Sequence, residues 1–196
     1  MIPLKLQVRN FLCYRDNVPP LYLEGVHLAC LCGPNGHGKS ALLDAITWAL
    51  WGKARGGAIR SQEELIHQGQ QDMMVELEFK SKGVNYRITR RHARGRSGAG
   101  HTSLELQIAS PDGFQPITGN TVRETEWKIQ ENLGMDYDTF INSVFLLQGR
   151  ADEFTTRTPS QRKQVLAKVL RLASFDRLED RAKVRARELE GLSRSI

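Results

Sequence analysis

The sequence has few cysteines and no long apolar run, and both absences narrow the class of protein. Only three of its 196 residues are cysteine. A number so small and odd does not build a disulfide scaffold, so reduced thiols and a cytoplasmic location are expected. The best apolar stretch, residues 41–51, is interrupted by Asp44 and Thr47 and falls short of the roughly 20 residues that span a bilayer. Residues 1–5 lack a basic segment followed by an apolar core, so neither a secretory signal nor a membrane partner is expected.

The charge balance is basic, and much of the surplus lies in one segment. The chain has 28 lysines and arginines against 22 acids, a net charge of +6. Residues 80–96 contain seven of the basic side chains and no acid. Such a concentration indicates a polyanionic partner, most often a nucleic acid, although a solvated loop can have the same composition. The candidate DNA-binding residues in this segment are Arg87, Arg90, Arg91, Arg94 and Arg96.

Residues 33–40, Gly-Pro-Asn-Gly-His-Gly-Lys-Ser, match the pattern of a phosphate-binding P-loop. Glycines let the backbone fold into a nest of inward N–H groups, and the next helix adds the positive end of its dipole. In this pattern Lys39 reaches the β- and γ-phosphates and the Ser40 hydroxyl coordinates Mg²⁺. The sequence predicts a strand buried on both faces at residues 26–32, a helix at residues 40–51 and a left-handed cap at Gly52.

The middle of the chain predicts an antiparallel meander and a further helix. Apolar and polar residues alternate over residues 73–79, 86–88 and 104–108, as in half-buried strands, and residues 4–8 show the same alternation in an opening strand at the start of the chain. Residues 121–133 predict a helix, and residues 144–147 predict a short buried strand that ends at Gln148. Cys30 and Cys32 share one face of the predicted strand before the P-loop and are interpreted as buried core thiols.

The C-terminal residues predict a helix that opens a coiled coil. Thr158 and Gln161 are spaced as a capping box, with Pro159 at the first helical position. From Leu178 to Ile196, residues of one seam recur at alternating steps of four and three. The seam covers fewer than three heptads, so a plain amphipathic helix remains the alternative. The pattern has no breaker at its end, which favours a helix that continues in a longer protein.

Two elements that can accompany a P-loop are missing from the sequence. No run of four apolar residues followed by Asp-Glu comes after the loop, and no Leu-Ser-Gly-Gly-Gln signature occurs. Without the metal-binding and water-positioning carboxylates, a P-loop is expected to bind nucleotide but to hydrolyse it poorly.

Four stretches together resemble the N-terminal ATPase segment of the Rad-fifty class of SMC-like DNA-repair ATPases, whose bacterial member is SbcC. Residues 6–11 resemble the family's first strand, and residues 33–52 resemble its P-loop and helix. Residues 144–149 resemble its Q-loop, and residues 158–163 resemble the helix that leads into the coiled coil. The resemblance implies an α/β fold of the P-loop NTPase type. Residues 1–157 would be the N-terminal half of an ABC-type head with an antiparallel β meander, and residues 158–196 the helical base of a coiled coil.

The resemblance also implies a set of site residues. The phosphates of ATP would be bound by Asn35, Gly36, His37, Gly38, Lys39, Ser40 and Ala41, and the adenosine by Ile66, His67 and Gln68. Mg²⁺ would be reached by Ser40 and Gln148, and the catalytic residues would be Lys39 and Gln148.

The resemblance implies that the two halves of the head lie at opposite ends of one polypeptide, and it implies four partners for this chain. They are the C-terminal half of the same head, a second head that dimerises on ATP binding, an SbcD-type nuclease at the coiled-coil base and double-stranded DNA. The function implied is an ATP-driven gate for the processing of DNA double-strand breaks, in a nucleoid-associated cytoplasmic protein.

Three other P-loop classes are the alternatives. An ABC transporter domain would carry its signature and second carboxylate within the same short chain. A small P-loop kinase would need a lid and an acceptor pocket, which the sequence does not show. A RecF-type recombination ATPase would have no long coiled coil after the head.

Overall fold

The computed structural model describes residues 1–54, 61–95, 100–143, 158–169, 178–179 and 181–185. The chain divides into two units, Met1–Tyr137 and Asp138–Ile196. Within the described ranges, no helix is both long and apolar enough to cross a bilayer. The predicted boundary between residues 157 and 158 stays a prediction.

A six-stranded antiparallel sheet forms the centre of the first unit. Its strands are β1 (Ile2–Arg9), β2 (Leu21–Tyr22), β3 (Asp72–Ser81), β4 (Val84–Ala93), β5 (His101–Ser110) and β6 (Gly113–Pro116). Their order across the sheet is β2-β1-β3-β4-β5-β6, and each neighbouring pair is antiparallel. Strands β3 to β6 follow one another in sequence and in space, which confirms the predicted meander.

One face of this sheet is apolar and buried. Leu6, Leu77, Ile88 and Leu106 lie opposite one another on four adjacent strands, and none is more than 2% exposed. Because successive side chains of a strand point to opposite faces, the residues between them form the other face. That face carries ion pairs, such as Lys5 Nζ with Glu76 Oε1 at 3.0 Å.

The helices and one short turn complete the described chain. They are α1 (Lys39–Trp51), a 3₁₀ turn (Gln62–Leu65), α2 (Val122–Leu133), α3 (Tyr137–Ser143) and α4 (Pro159–Val169), with further helical residues at 178–179 and 181–185. Helix α1 buries Trp48 completely, with its ring 5.6 Å from that of Phe11. The helix ends at Gly52, which has a φ of 64° and donates its N–H to the carbonyl of Trp48 at 2.8 Å. The predicted left-handed cap is therefore confirmed.

Two further helix starts also agree with the sequence. At α2 the backbone N–H of Glu124 donates to Thr121 Oγ1 at 3.1 Å. At α4 the N–H of Gln161 donates to Thr158 Oγ1 at 3.4 Å, and the N–H of Thr158 donates to Gln161 Oε1 at 3.1 Å. These reciprocal bonds are the predicted capping box.

The predicted buried strand at residues 26–32 is wrong for this chain. Residues 26–32 form no strand, and Val26, Leu28 and Leu31 are 46%, 94% and 43% exposed. A strand is buried on both faces only when other strands flank it and helices cover it. The described residues provide no flanking strand here. For the same reason Cys30 and Cys32, predicted as buried core thiols, are exposed.

Candidate nucleotide-binding site

The P-loop, residues 33–40, joins the exposed segment at residues 26–32 to helix α1. Gly36 and Gly38 have φ angles of 83° and 89°, which residues with a Cβ seldom adopt. At Gly38 the space is also closed, because an added Cβ would lie 2.6 Å from Cys13 Sγ. Helix α1 begins at the next residue, Lys39, so its first N–H groups open towards the loop. This is the geometry that binds phosphate at a helix N-terminus.

Lys39 spans the loop with its side chain. Its Nζ donates to the carbonyl oxygens of Gly33 at 2.7 Å and Pro34 at 2.8 Å. An ammonium has three N–H donors, so this anchoring leaves one that can be directed at a phosphate oxygen. The two carbonyls thus hold the positive charge above the loop, where a phosphate would enter.

The other predicted phosphate-binding residues lie along the same loop and the first turn of α1. Asn35, Gly36 and His37 are exposed, and His37 Nδ1 lies 3.3 Å from the carbonyl oxygen of Asn35. Ser40 is exposed in the first turn of α1, whereas Ala41 is buried. The Ser40 hydroxyl is the kind of hard oxygen ligand that Mg²⁺ prefers, so this position fits the predicted metal.

The predicted adenosine-binding residues are held by residues 10–12, which directly follow β1. The backbone N–H of His67 donates to the carbonyl of Asn10 at 2.8 Å, and its ring Nδ1 donates to the carbonyl of Leu12, also at 2.8 Å. Ile66 is buried and forms a β-bridge with Phe11. Gln68 is exposed. Residues 66–68 are therefore fixed in place by backbone pairing with residues 10–12.

The same stretch of chain also reaches the P-loop. The hydroxyl of Tyr14 donates to the carbonyl of Gly38 at 3.1 Å, and the Tyr14 N–H donates to the carbonyl of Phe11 at 2.9 Å. Burial raises the pKa of Tyr14, with a smaller contribution from Cys13, so the hydroxyl stays protonated and remains a donor. Residues 10–14 thus connect the predicted adenosine residues to the P-loop. The sequence alone did not predict this role for Tyr14, because its residue type gives no signal for it.

The basic segment has three arginines that are at least partly exposed and that each bond to a partner in this chain: Arg87, Arg91 and Arg94. Arg87 Nη2 donates to Glu78 Oε1 at 2.9 Å, and Arg91 Nη1 donates to Glu105 Oε1 at 3.3 Å. Arg94 is exposed and donates to a backbone carbonyl at 3.5 Å. The sheet therefore supplies the acids that the basic segment itself lacks.

Arg90 is buried, with only 2% of its side chain exposed. Its Nε donates to the carbonyl of Ala49 at 3.2 Å, and its Nη1 donates to Glu126 Oε1 at 2.8 Å. Burial lowers the pKa of Arg90, and the Glu126 carboxylate opposes that shift. Arg90 joins β4 to the end of α1 and to α2, so its guanidinium is not exposed to a DNA phosphate. A signal was present in the sequence, because Arg90 shares strand parity with Tyr86 and Ile88.

Several predicted features lie outside the described residues. They are Gln148 and the strand at residues 144–147, Arg96, and the last three apolar positions of the seam at residues 189, 192 and 196. Their predicted roles stay predictions.

Comparisons with known proteins place the chain in a family. A model of the AAA domain family matches residues 5–195. The SbcC component of the nuclease SbcCD from Deinococcus radiodurans is 31% identical over 197 residues, covering 100% of this chain and 21% of that protein. The "DNA double-strand break repair Rad50 ATPase" of Thermoplasma volcanium is 34% identical over 181 residues, covering 91% of this chain and 18% of that protein. The chain therefore spans about a fifth of the length of these relatives.

The fold also matches a solved structure, from work on ATP-driven dimerization and DNA-stimulated activation of SMC ATPases. The two align with a TM-score of 0.63 at 20% identity, covering 86% of this chain and 99% of the other. The predicted fold class is thereby confirmed. Because the family model extends over nearly all of the sequence, the chain belongs to the AAA domain family, and its resemblance to the N-terminal ATPase segment of the SbcC and Rad50 ATPases is confirmed.

Proposed function

We propose that the chain is the ATP-binding half of an SMC-like ATPase head that acts in DNA double-strand-break repair. The observation that carries this proposal is the P-loop at the start of α1, with the Lys39 ammonium anchored across it. The names of the two relatives, a component of a nuclease and a DNA-repair ATPase, supply the biological setting.

In this proposal each part of the site contacts one part of ATP. The backbone N–H groups of residues 35–41 and the Lys39 ammonium bind the phosphates. Residues 66–68, which are held beside the loop by residues 10–14, contact the adenosine. Ser40 and Gln148 hold Mg²⁺, which when bound neutralises charge on the β- and γ-phosphates.

The exposed apolar segment at residues 26–32 supports the proposal that a partner packs against this part of the chain. Leu28 is 94% exposed, and it lies in a run of apolar residues that ends directly at the P-loop. Exposed apolar side chains that are contiguous in sequence are typical of an interaction surface. We assign this surface to strands from the C-terminal half of the same head, which would also supply the missing carboxylate. A second head would then supply the signature across the bound ATP.

The remaining partners are assigned to the parts of the chain that stay exposed. Arg91 and Arg94 are the described arginines of the basic segment that are exposed enough to contact double-stranded DNA. An SbcD-type nuclease would bind the coiled-coil base that begins at α4. In this arrangement, ATP binding closes two heads and gates the access of DNA to the nuclease.

The experiment that tests the proposal is calorimetric titration of the 196-residue chain with Mg²⁺ and ATP. Lys39→Ala removes the charge-assisted hydrogen bonds to phosphate, so we expect the affinity to fall about 100-fold or more. Lys80→Ala is the matched control, because Lys80 is an exposed lysine of β3 outside the loop. Unchanged affinity in Lys39→Ala would contradict the P-loop assignment.

Measurement of phosphate release from ATP distinguishes a chain that holds only half of the catalytic site from one that holds a complete site. We expect the chain alone to bind ATP without Lys39-dependent turnover, since the second carboxylate and the signature are absent from its sequence. Addition of the C-terminal half should then produce turnover. Robust Lys39-dependent hydrolysis by the chain alone would show that the split-head assignment is wrong.

A further inference from the structure

Cys30 and Cys32 form an exposed pair of thiols directly before the P-loop. Their Sγ atoms lie 3.4 Å apart, and both residues are exposed. One residue separates them, and the short distance between their sulfurs shows that the two side chains lie side by side. To form a disulfide the two sulfurs need to approach by only about 1.4 Å. The pair is therefore arranged for an intramolecular disulfide.

The surroundings favour thiol chemistry over metal binding at this pair. Within the described part of the chain, no three or more His, Cys, Asp or Glu side chains come together to hold a metal ion. A structural zinc site takes four such ligands, and two thiols supply only half of them. The third cysteine, Cys13, packs against Gly38 rather than joining the pair.

The pair is connected by one peptide bond to the anchor of the P-loop lysine. Gly33 follows Cys32, and its carbonyl oxygen accepts a hydrogen bond from Lys39 Nζ at 2.7 Å. Gly33 has a φ of 149°, which only glycine adopts readily, so its backbone can turn when Cys32 moves. Drawing Cys32 towards Cys30 would therefore displace the carbonyl that positions the ammonium.

We propose that Cys30 and Cys32 are a thiol–disulfide site, oxidised by low-molecular-weight disulfides such as oxidised glutathione, and that the closed disulfide weakens nucleotide binding at the P-loop. The second part rests on the proposed ATP-binding function. The site is open to the oxidant while residues 26–32 are exposed, that is, before the C-terminal half of the head covers them.

The reaction proceeds by two thiol–disulfide exchanges. One cysteine thiolate attacks a sulfur of the small disulfide, forms a mixed disulfide and expels one small thiolate. The other cysteine thiolate attacks the protein sulfur of the mixed disulfide and expels the second small thiolate. Two protein thiols are oxidised and one small disulfide is reduced to two thiols, which take up the two protons lost by the cysteines.

Peptide mass spectrometry tests the chemistry. The chain is incubated with oxidised glutathione, quenched in acid, alkylated and digested with trypsin. Both cysteines of the pair fall on the peptide of residues 16–39, and Cys13 falls on the separate peptide of residues 10–15. We expect the 16–39 peptide to be unalkylated and lighter by two hydrogen atoms than its reduced form. A 16–39 peptide that carries two alkyl groups, or glutathione on both cysteines, would overturn the proposal.

ATP titration of the reduced and oxidised chains tests the coupling to the P-loop. We expect oxidation to weaken ATP binding about tenfold, and a reductant to restore it. The double variant Cys30→Ser/Cys32→Ser can form neither the disulfide nor a mixed disulfide at this site, so it should bind ATP with the same affinity before and after treatment with oxidised glutathione. Cys13→Ser should keep the response. Equal affinity of the reduced and oxidised wild-type chains would overturn the proposal. Failure of the reduced chain to bind ATP would instead contradict the proposed function, and the peptide mass would then decide the disulfide by itself.

Discussion

The antiparallel sheet and the segment that leads into the P-loop are both rich in apolar residues, yet their surroundings are opposite. Leu77, on β3, is fully buried between Leu6 and Ile88 on the neighbouring strands. Leu28, in the segment at residues 26–32, is 94% exposed. The apolar face of the sheet is buried by residues of this chain, whereas no part of the chain that the structure describes buries the segment. An apolar pattern thus shows that a stretch is to be buried, but it does not show whether the same chain supplies the cover.

The largest expected difference between the two regions is in the loss of stability when a leucine is replaced by alanine. Leu77→Ala should lower the free energy of unfolding by about 2–5 kcal/mol, because it removes buried methyl groups and leaves a cavity. Leu28→Ala should change it by less than about 0.5 kcal/mol, because the side chain is already in water. Urea denaturation of the 196-residue chain measures both values.

The leucine pair also shows how the comparison could fail. A loss of stability in Leu28→Ala as large as that in Leu77→Ala would mean that residues 26–32 are packed within this chain. If instead only Leu28→Ala weakens binding to the C-terminal half of the head, the segment is the surface that the partner half covers.

A second comparison lies within the basic segment, where neighbouring arginines point to opposite faces of β4. Arg90 is buried against Glu126, whereas the side chain of Arg91 is 49% exposed in its pair with Glu105. Arg90→Met should cost about 2 kcal/mol, because the hydrogen bonds of a buried guanidinium are lost. Arg91→Met should cost less than about 1 kcal/mol, as for other exposed ion pairs.

Thermal and urea unfolding measures the stability of the two methionine variants, and DNA binding is measured on the assembled complex. Together the two measurements distinguish an arginine that stabilises the fold from one that contacts DNA. Equal stability of the two variants would show that Arg90 is not an interior residue. A weaker dependence of DNA binding on salt in Arg91→Met alone would sharpen the contrast between the two faces.

The features that were predictable from sequence are those that depend on nearby residues. The Gly52 cap and the capping box at Thr158 and Gln161 are set within one helical turn, and the meander follows from strict alternation in successive strands. The burial of Arg90 could also have been inferred, from strand parity.

The features that were not predictable depend on residues distant in sequence. Whether residues 26–32 become a buried strand depends on strands that lie elsewhere. The bond from Tyr14 to Gly38 joins two loops that are 24 residues apart, and no local pattern encodes it. Cys30 and Cys32 were predicted as buried for the same reason that the strand was, so both errors have one cause.

The smallest expected effect is a pH dependence that distinguishes the sheet from the segment. His92 is buried on β4, and its Nδ1 lies 2.7 Å from Thr102 Oγ1. Burial lowers the pKa of His92 in the folded protein, with Glu63 opposing this shift and His101 adding to it. The pKa of histidine in the unfolded chain is about 6.5, so near and below this pH the unfolded chain binds more protons than the folded one. The free energy of unfolding therefore falls as the pH drops towards the lower pKa of His92 in the folded protein.

His92→Gln should therefore reduce the loss of unfolding free energy between about pH 7.5 and pH 5.5, because the titrating ring is removed. His27→Gln is the matched control, since His27 is exposed in the segment before the P-loop. Urea denaturation at the two pH values measures the difference, which we expect to be smaller than the losses of stability in Leu77→Ala and Arg90→Met because only one titration is removed. Equal pH dependence of the wild-type chain and His92→Gln would show that the interior of the sheet does not favour the neutral ring. The contrast between a buried sheet and an exposed segment would then apply to apolar side chains and ion pairs, but not to the titration of histidine.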